Sequence, residues 1–262
     1  MAELLFWPAA LAYSEAAVAY FGNTRRPARY GSLATWGVRL GWLAQSALLL
    51  LQAVRADGFP WDTWAGSLNL FVWLVVSAYL IWGCRARYRL LGLLVMPPAA
   101  CLLLVAWVGG GATDSTRSRY SGLFLVVHVG AVLAAFAAFT LAAALSALYL
   151  WQERRLKRRE AGILGVRAPS LVTLDRLVGR TIVFALPALT VGIAAGLARV
   201  VREGRGLDAL MLVTLLTWGV YASFVGHRYG RGWHGRRAAL LALAGFALVV
   251  LVRHGLPVTH VS

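Results

Sequence analysis

Acidic residues and cysteines are the scarcest functional groups in this 262-residue chain, which has 10 Asp and Glu, 26 Lys and Arg, and 2 Cys. Because Cys84 and Cys101 form no CxxC pair, the sequence indicates no disulfide framework, zinc site or thiol relay. Glu15 is the one acid well inside an apolar stretch, which argues against a relay of buried carboxylates. The sequence also contains no Walker loop, GxSxG or Ser-His-Asp order, so the common signatures of NTPases and hydrolases are absent.

Long apolar runs dominate what is present. The chain is 60% hydrophobic with 11 Trp, and its mean hydropathy of +0.70 is typical of a polytopic helical membrane protein. Since about 20 apolar residues cross a bilayer, we predict an all-α bundle of about eight transmembrane helices, forming a single domain over 1–262. The predicted spans are 4–21, 33–54, 65–84, 90–109, 122–151, 179–198, 208–226 and 237–253.

Positive charge is distributed unevenly between the predicted loops. Eighteen Lys and Arg lie on one side and seven on the other, with Arg39 inside the second span. Because cytoplasmic loops carry the excess of cations, we predict a multi-pass protein of the inner (plasma) membrane with both termini outside. The net charge of +16 then reflects topology and some attraction to anionic lipid, and we expect no nucleic-acid partner. In the longest basic loop, 171–178 has the spacing of a short amphipathic surface helix.

Histidines at two depths are the main candidates for a functional site. His128, in the fifth span, and His260, in the tail, lie on the predicted outer side, whereas His227 ends the seventh span on the inner side. Two neutral imidazoles from different segments can bind both faces of a haem iron. Arginines such as Arg202 suit the haem propionates, and Arg39 is a further candidate for such a contact.

The residues alone leave other interpretations open. His254 can replace His260 as the tail ligand, and His128 can instead hydrogen-bond a neighbouring helix. Arg39 can snorkel, pair with Glu15 on another helix, or contact a lipid headgroup. A small-molecule or lipid permease, with Arg39 and the proline-containing spans as its working parts, also fits.

A series of motifs follows in order along nearly the whole chain. It begins with LGWLAQSALLLLQ, GFP and SLNLFVWLVVSAYL, and continues with His128 at the start of its helix and LYLWQERRLKRR. It then continues with APSLVTLDRLVGR, LPALTVGIAAG and TWGVYASFVGHRYGRGWHGRRAALLALAGFALVVL. Together these motifs resemble the cytochrome c assembly membrane proteins, the CcsA, ResC and CcmC relatives, and most of all their HemX-like branch.

The resemblance implies a haem-handling protein that supports cytochrome c maturation by ligation rather than turnover, with haem b as its cofactor. By position, His128 and His260 resemble the external haem-ligand histidines of the family, and His227 resembles its inner transmembrane histidine. Haem, a second cytochrome c assembly membrane protein and apocytochrome c are the implied partners. The alternative that the resemblance offers is a HemX-like regulator of haem biosynthesis without its own haem.

The chain departs from the family pattern at two places. The tryptophan-rich WWD loop, expected just before the seventh span, is replaced by ARVVREGRGLDAL, and Gln45 stands where some relatives carry a further transmembrane histidine. HemX-like relatives lack the same loop, so this departure agrees with the resemblance to that branch.

Overall fold

Eight helices and no strand make up the part of the chain that the computed structural model describes, which is residues 2–23, 27–55, 61, 63–83, 88–111, 122–159, 169–204, 206 and 209–254. The helices are α1 (Ala2–Asn23), α2 (Pro27–Arg55), α3 (Trp64–Gly83), α4 (Arg89–Val108), α5 (Gly122–Lys157), α6 (Leu171–Glu203), α7 (Ala209–Gly230) and α8 (Arg236–His254). The predicted all-α class and the number of helices are confirmed.

Helix length and composition make this chain a multi-pass membrane protein. Helices α1 to α7 are each long and apolar enough to cross a bilayer. Helix α8 has 19 residues, and the structure describes its side chains as far as Val250. The placement of both termini on the outer side stays a prediction.

Two helices extend further into the basic loop than their predicted spans. Helix α5 continues beyond 151 to Lys157, and α6 begins at Leu171. The Ser170 hydroxyl accepts a hydrogen bond from the backbone N–H of Thr173 at 3.3 Å and so caps the first turn of α6. The stretch 171–178 is therefore the start of α6 and not a helix of its own, and its location at the membrane surface stays a prediction.

The chain divides into two compact units, each built around four of the helices. The first comprises Met1–Val126 with Arg159–Pro169, and the second comprises Val127–Arg158 with Ser170–Ser262. Helices α1 to α4 belong to the first unit, whereas α6 to α8 and most of α5 belong to the second. The single domain over 1–262 stays a prediction.

Small residues bring α1 and α2 into close contact in the first unit. A Cβ added at Gly37 would lie 3.1 Å from the carbonyl oxygen of Ala12 and 3.2 Å from the Cβ of Ala16. One added at Gly41 would lie 2.6 Å from the Tyr13 ring. The spacing of these two glycines is the GxxxG pattern that lets membrane helices approach closely.

A buried hydrogen-bond network surrounds Gln45 in the same unit. The Tyr13 hydroxyl donates to Gln45 Oε1 at 2.8 Å, and Gln45 Nε2 donates to Asn69 Oδ1 at 2.8 Å and to its backbone oxygen at 3.0 Å. Asn69 Nδ2 and Gln52 Nε2 then donate to the carbonyl of Gly111 at 3.2 and 3.1 Å. Because buried amides are costly unless they are paired, this network ties α1, α2 and α3 to the end of α4.

Aromatic packing holds the second unit together. The rings of Phe139 on α5 and Tyr221 on α7 stack at a centroid distance of 3.7 Å and an angle of 5°. The Tyr221 hydroxyl donates to the backbone oxygen of Ala242 on α8 at 3.2 Å. Gly245 leaves room for this ring, because a Cβ there would lie 2.7 Å from the Tyr221 Cζ. These contacts connect α5, α7 and α8.

Candidate functional site

His128 lies near the start of α5 and is bound to α6. Its Nδ1 lies 2.8 Å from the carbonyl oxygen of Gly192. A carbonyl can only accept, so Nδ1 carries the proton, and Nε2 is the nitrogen that holds the lone pair when the ring is neutral. A histidine that ligates a metal usually donates its other ring N–H to such a carbonyl or carboxylate, which orients the ring. The ring is half-buried and faces another helix of its own unit.

Two glycines of α6 make room for this histidine. A Cβ added at Gly196 would lie 2.7 Å from the Cε1 of His128, and one added at Gly192 would lie 2.5 Å from a methyl group of Val132. The two glycines are four residues apart and face the same helix. The stretch TVGIAAG is therefore the surface of α6 on which the imidazole rests.

His227 lies at the other end of the second unit, in the last turn of α7. Its Nδ1 donates to the carbonyl oxygen of Ser223, 2.7 Å away on the same helix, and its Nε2 accepts from Arg231 Nη1 at 3.1 Å. The Trp233 ring lies 4.4 Å from the imidazole, centroid to centroid. The lone pair of Nε2 is therefore already engaged by a guanidinium, which can only donate.

Asp175 organises that same end of the unit. Arg228 donates from Nη1 and Nη2 to the two carboxylate oxygens of Asp175 at 3.2 and 2.9 Å, and from Nη2 to its backbone oxygen at 3.1 Å. The backbone N–H of Gly235 donates to Oδ1 at 2.8 Å, and His234 Nδ1 lies 3.2 Å from Oδ2. The bidentate geometry and the burial of both side chains, which are 7% and 15% exposed, make this a strong ion pair.

A cavity of about 420 Å³ adjoins this ion pair. Asp175, Arg228, His234 and Gly235 together form the Asp175 cluster, which lines one part of this cavity. The other walls are formed by Tyr149, Leu171, Val172 and Arg176. Gly235 has φ +68°, and a Cβ there would lie 2.9 Å from the Tyr149 hydroxyl. A glycine is thus required where the loop before α8 turns against α5.

The two histidine positions are separated by the length of a membrane span. Asp175, beside Arg228, and Gly196, beside His128, are 21 residues apart on α6, which corresponds to about 32 Å of helix. That length matches the thickness of about 30 Å of the hydrocarbon core of a bilayer. His128 and His227 consequently lie at opposite ends of one unit, as their predicted depths require.

The remaining predicted site residues lie elsewhere. Arg202 is exposed near the C-terminal end of α6, six residues beyond Gly196. Arg39 is exposed on α2, in the first unit, with its guanidinium carbon 5.4 Å from the centroid of the Trp36 ring. His260 lies outside the described residues. In the described part of the chain, no group of three or more His, Cys, Asp or Glu could hold a metal ion.

Sequence reasoning missed the Asp175 cluster. Its other members are 53 to 60 residues away from Asp175 along the chain, so no local pattern places them beside it. One signal was available, because Asp175 lies between Leu174 and Arg176 in an otherwise mostly apolar stretch, where a carboxylate requires a cationic partner.

The fold and the histidines define a class: a polytopic helical membrane protein with one histidine near each end of a four-helix unit. The model of the family described as cytochrome c assembly protein matches residues 61–259. This chain belongs to the cytochrome c assembly protein family, as the order of its motifs predicted.

Relatives carry two of the names that the resemblance suggested, CcsA and HemX. The cytochrome c biogenesis protein CcsA of Gloeothece citriformis is 27% identical, over 83% of this chain and 82% of the relative. The CcsA of Prochlorococcus marinus is 28% identical, over 82% and 77%. Protein HemX of Brevibacillus brevis is 25% identical, over 83% and 82%. No solved structure gives a significant match.

Proposed function

We propose that this protein binds haem in the inner (plasma) membrane and supports cytochrome c maturation, with the Nε2 atom of His128 as an iron ligand. The observation that carries the proposal is the 2.8 Å hydrogen bond from His128 Nδ1 to the Gly192 carbonyl. It selects the tautomer that a haem ligand needs and holds the ring on a rigid helix. The CcsA relatives, which are named for cytochrome c biogenesis, agree with this role.

A second histidine ligand and the residues that would hold the propionates belong to the same end of the unit in this proposal. Gly196 and Arg202 are six residues apart on α6, or about 9 Å along its axis. A guanidinium at that height suits a propionate of a haem whose iron is near His128. We assign the second ligand to His260, and His254 at the end of α8 is its alternative.

His227 is proposed as a ligand at the inner end, on the condition that Arg231 releases its ring. Arg231 holds its Nε2 at 3.1 Å, so iron can bind there only after this guanidinium has moved away. Trp233 then offers an aromatic surface beside the ring. Arg39 belongs to the first unit, whereas His128 and His227 belong to the second. The contact of Arg39 with a haem propionate stays a prediction.

The residues of this chain would hold and orient haem rather than transform it. A haem bound here supplies a redox-active iron and a porphyrin whose apolar face suits a membrane site. His128 would ligate the iron, Gly192 fixes the tautomer of that ring, and Arg202 would pair with a propionate carboxylate. Attachment to the CxxCH of an apocytochrome c would require a second assembly protein, because the stretch 198–210 contains no tryptophan-rich loop.

The absorption spectrum of the detergent-purified protein tests this proposal. We expect a b-type Soret band that is strongly reduced in His128→Ala, because only haem at the His227 end would then remain. The matched control is His234→Ala, which removes an exposed histidine at the opposite end and should leave the band unchanged. A wild-type protein without haem, or a His128→Ala spectrum identical to the wild type, would refute the proposed ligand.

A HemX-like regulator of haem synthesis without its own haem is the second candidate, and the Brevibacillus relative supports it. In this case the basic end of α5, with Arg154, Arg155 and Lys157 in its last turn, is the expected contact surface. Reversing these three charges should change cellular haem levels, while cytochrome c attachment stays normal in haem-fed cells. Impaired attachment under those conditions would favour the first function.

A further inference from the structure

Two charged side chains lie well inside membrane-spanning helices of the first unit. Arg39 is 12 residues from the start of α2 and 16 from its end, or about 18 and 24 Å along the axis. Glu15 is 8 residues from the end of α1, or about 12 Å. Both side chains are exposed on the surface of the chain. Charged residues within spans normally face the interior of a bundle and pair there, so this exposure calls for an explanation.

The two charges lie at the same depth. Helices α1 and α2 are in close contact where Gly37 lies against Ala12 and Ala16. Glu15 is next to Ala16, and Arg39 is two residues beyond Gly37, so they differ in height by less than about one helical turn of 5.4 Å. An acid and a base thus lie at the same depth in the membrane, on neighbouring helices.

These charges do not neutralise each other within one chain. Among the described residues, no ion pair or hydrogen bond joins Glu15 to another residue, and the interpretation that it pairs with Arg39 is wrong. Among hydrogen bonds, ion pairs and ring contacts within that part of the chain, Arg39 makes one, with the Trp36 ring, 5.4 Å from its guanidinium carbon. A cation–π contact returns much less free energy than a charge loses at the centre of a bilayer.

We propose that this surface of α1 and α2 binds a second copy of the same chain, with Glu15 of each copy paired to Arg39 of the other. An acid and a base at equal depth form a self-complementary pattern, which a two-fold axis along the membrane normal satisfies twice. Large exposed apolar side chains surround the charges and supply the packing surface: Leu11, Val18, Leu33, Trp36, Leu40 and Leu43.

Charge complementarity favours a second copy over other occupants. A lipid headgroup would leave Glu15 facing hydrocarbon, and it would also require Arg39 to reach about 18 Å to the nearer end of α2. A different membrane protein would have to present the reverse pattern of both charges at one depth, whereas a copy of this chain presents it by symmetry. The dimer surface belongs to the first unit and does not depend on the haem ligands proposed in the second.

Co-purification of two differently tagged copies from the same cells tests the dimer. In mild detergent, capture of one tag should recover the other for the wild-type protein. Glu15→Arg alone and Arg39→Glu alone should each lower that recovery at least about tenfold, because like charges then face each other twice. The double variant Glu15→Arg with Arg39→Glu should restore it. Arg158→Glu is the matched control and should leave recovery unchanged, since it reverses an exposed charge at the end of α5.

Co-expression of the two single variants gives a more specific test of the pairing. A chain with Glu15→Arg carries two bases at this depth, and one with Arg39→Glu carries two acids. When co-expressed, they should capture each other at the wild-type level, even if neither accumulates alone. Failure of this mixed pair to co-purify would overturn the proposal. So would a wild-type protein that recovers no second copy, recovers a different membrane protein instead, or keeps its recovery in both single variants.

Discussion

His128 and His227 lie at opposite ends of the second unit, and Nδ1 of each donates to a backbone carbonyl, at 2.8 and 2.7 Å. The carbonyl that accepts from His128 is on another helix, at Gly192. The carbonyl that accepts from His227 is one turn earlier on its own helix, at Ser223. The first ring is therefore fixed by tertiary packing, and the second by local helix geometry.

The other ring nitrogen of His227 also has a partner. Nε2 of His227 accepts from Arg231, four residues further along the chain. The end with His227 is also tied together by the Asp175–Arg228 ion pair, whereas the end with His128 depends on small residues of α6. The end with His227 is thus stabilised by an ion pair and the end with His128 by close packing. Substitutions at the two ends should therefore have different effects.

The largest effect is expected from breaking the ion pair with Asp175→Ala. This substitution leaves Arg228, whose side chain is 7% exposed, without its carboxylate, and should lower the free energy of unfolding by about 3 kcal/mol. Unfolding in increasing SDS measures this loss, and Arg228→Leu added to Asp175→Ala should recover part of it. Glu153→Ala is the control, because it breaks a pair with Lys157, which is 64% exposed, and should cost under about 0.5 kcal/mol. Equal losses in the two variants would contradict the assigned burial.

A smaller effect is expected from Gly196→Ala, because its new methyl group meets the ring of His128 at 2.7 Å. Crowding of this kind costs about 1–3 kcal/mol, and displacement of the imidazole should weaken haem binding at this end. Gly130→Ala is the matched control, since an added Cβ there has nothing within 4 Å. Haem titration followed by absorbance measures both variants, and a Gly196→Ala affinity equal to that of Gly130→Ala would show that the ring is not involved.

The smallest effect is expected from Arg231→Gln, which weakens the hydrogen bond to Nε2 of His227. A hydrogen bond of this kind is worth about 1 kcal/mol, so haem affinity at the inner end should rise by about fivefold. His128→Ala as a background isolates that end during the titration. Unchanged affinity in Arg231→Gln would mean that this guanidinium does not compete with iron.

The helices, and the placement of His128 and His227 at opposite ends of their helices, could be predicted from sequence, because apolar runs and single polar residues within them are local signals. The continuation of α6 back to Leu171 was missed, since its first two turns resemble an amphipathic surface helix until Asp175 is seen to bind Arg228.

Contacts between distant segments had no such signal. The network from Gln45 to Asn69 and Gly111 joins residues 24 to 66 positions apart, and the carbonyl that orients His128 is 64 residues away. Backbone carbonyls leave no trace in a sequence, so the tautomer of His128 became evident only from the structure. The pair of Glu15 and Arg39 did have a sequence signal, the equal depth of the two residues, but equal depth does not bring two side chains into contact.

Replacement of the proposed ligand by a different donor tests the haem site most directly. In His128→Cys, a thiolate would take the place of the imidazole on the iron, and the magnetic circular dichroism and EPR spectra of the purified protein would report the change. We expect thiolate-ligated signals in this variant and signals of two imidazoles in the wild type. A haem spectrum that is the same in both proteins would show that His128 does not bind the iron.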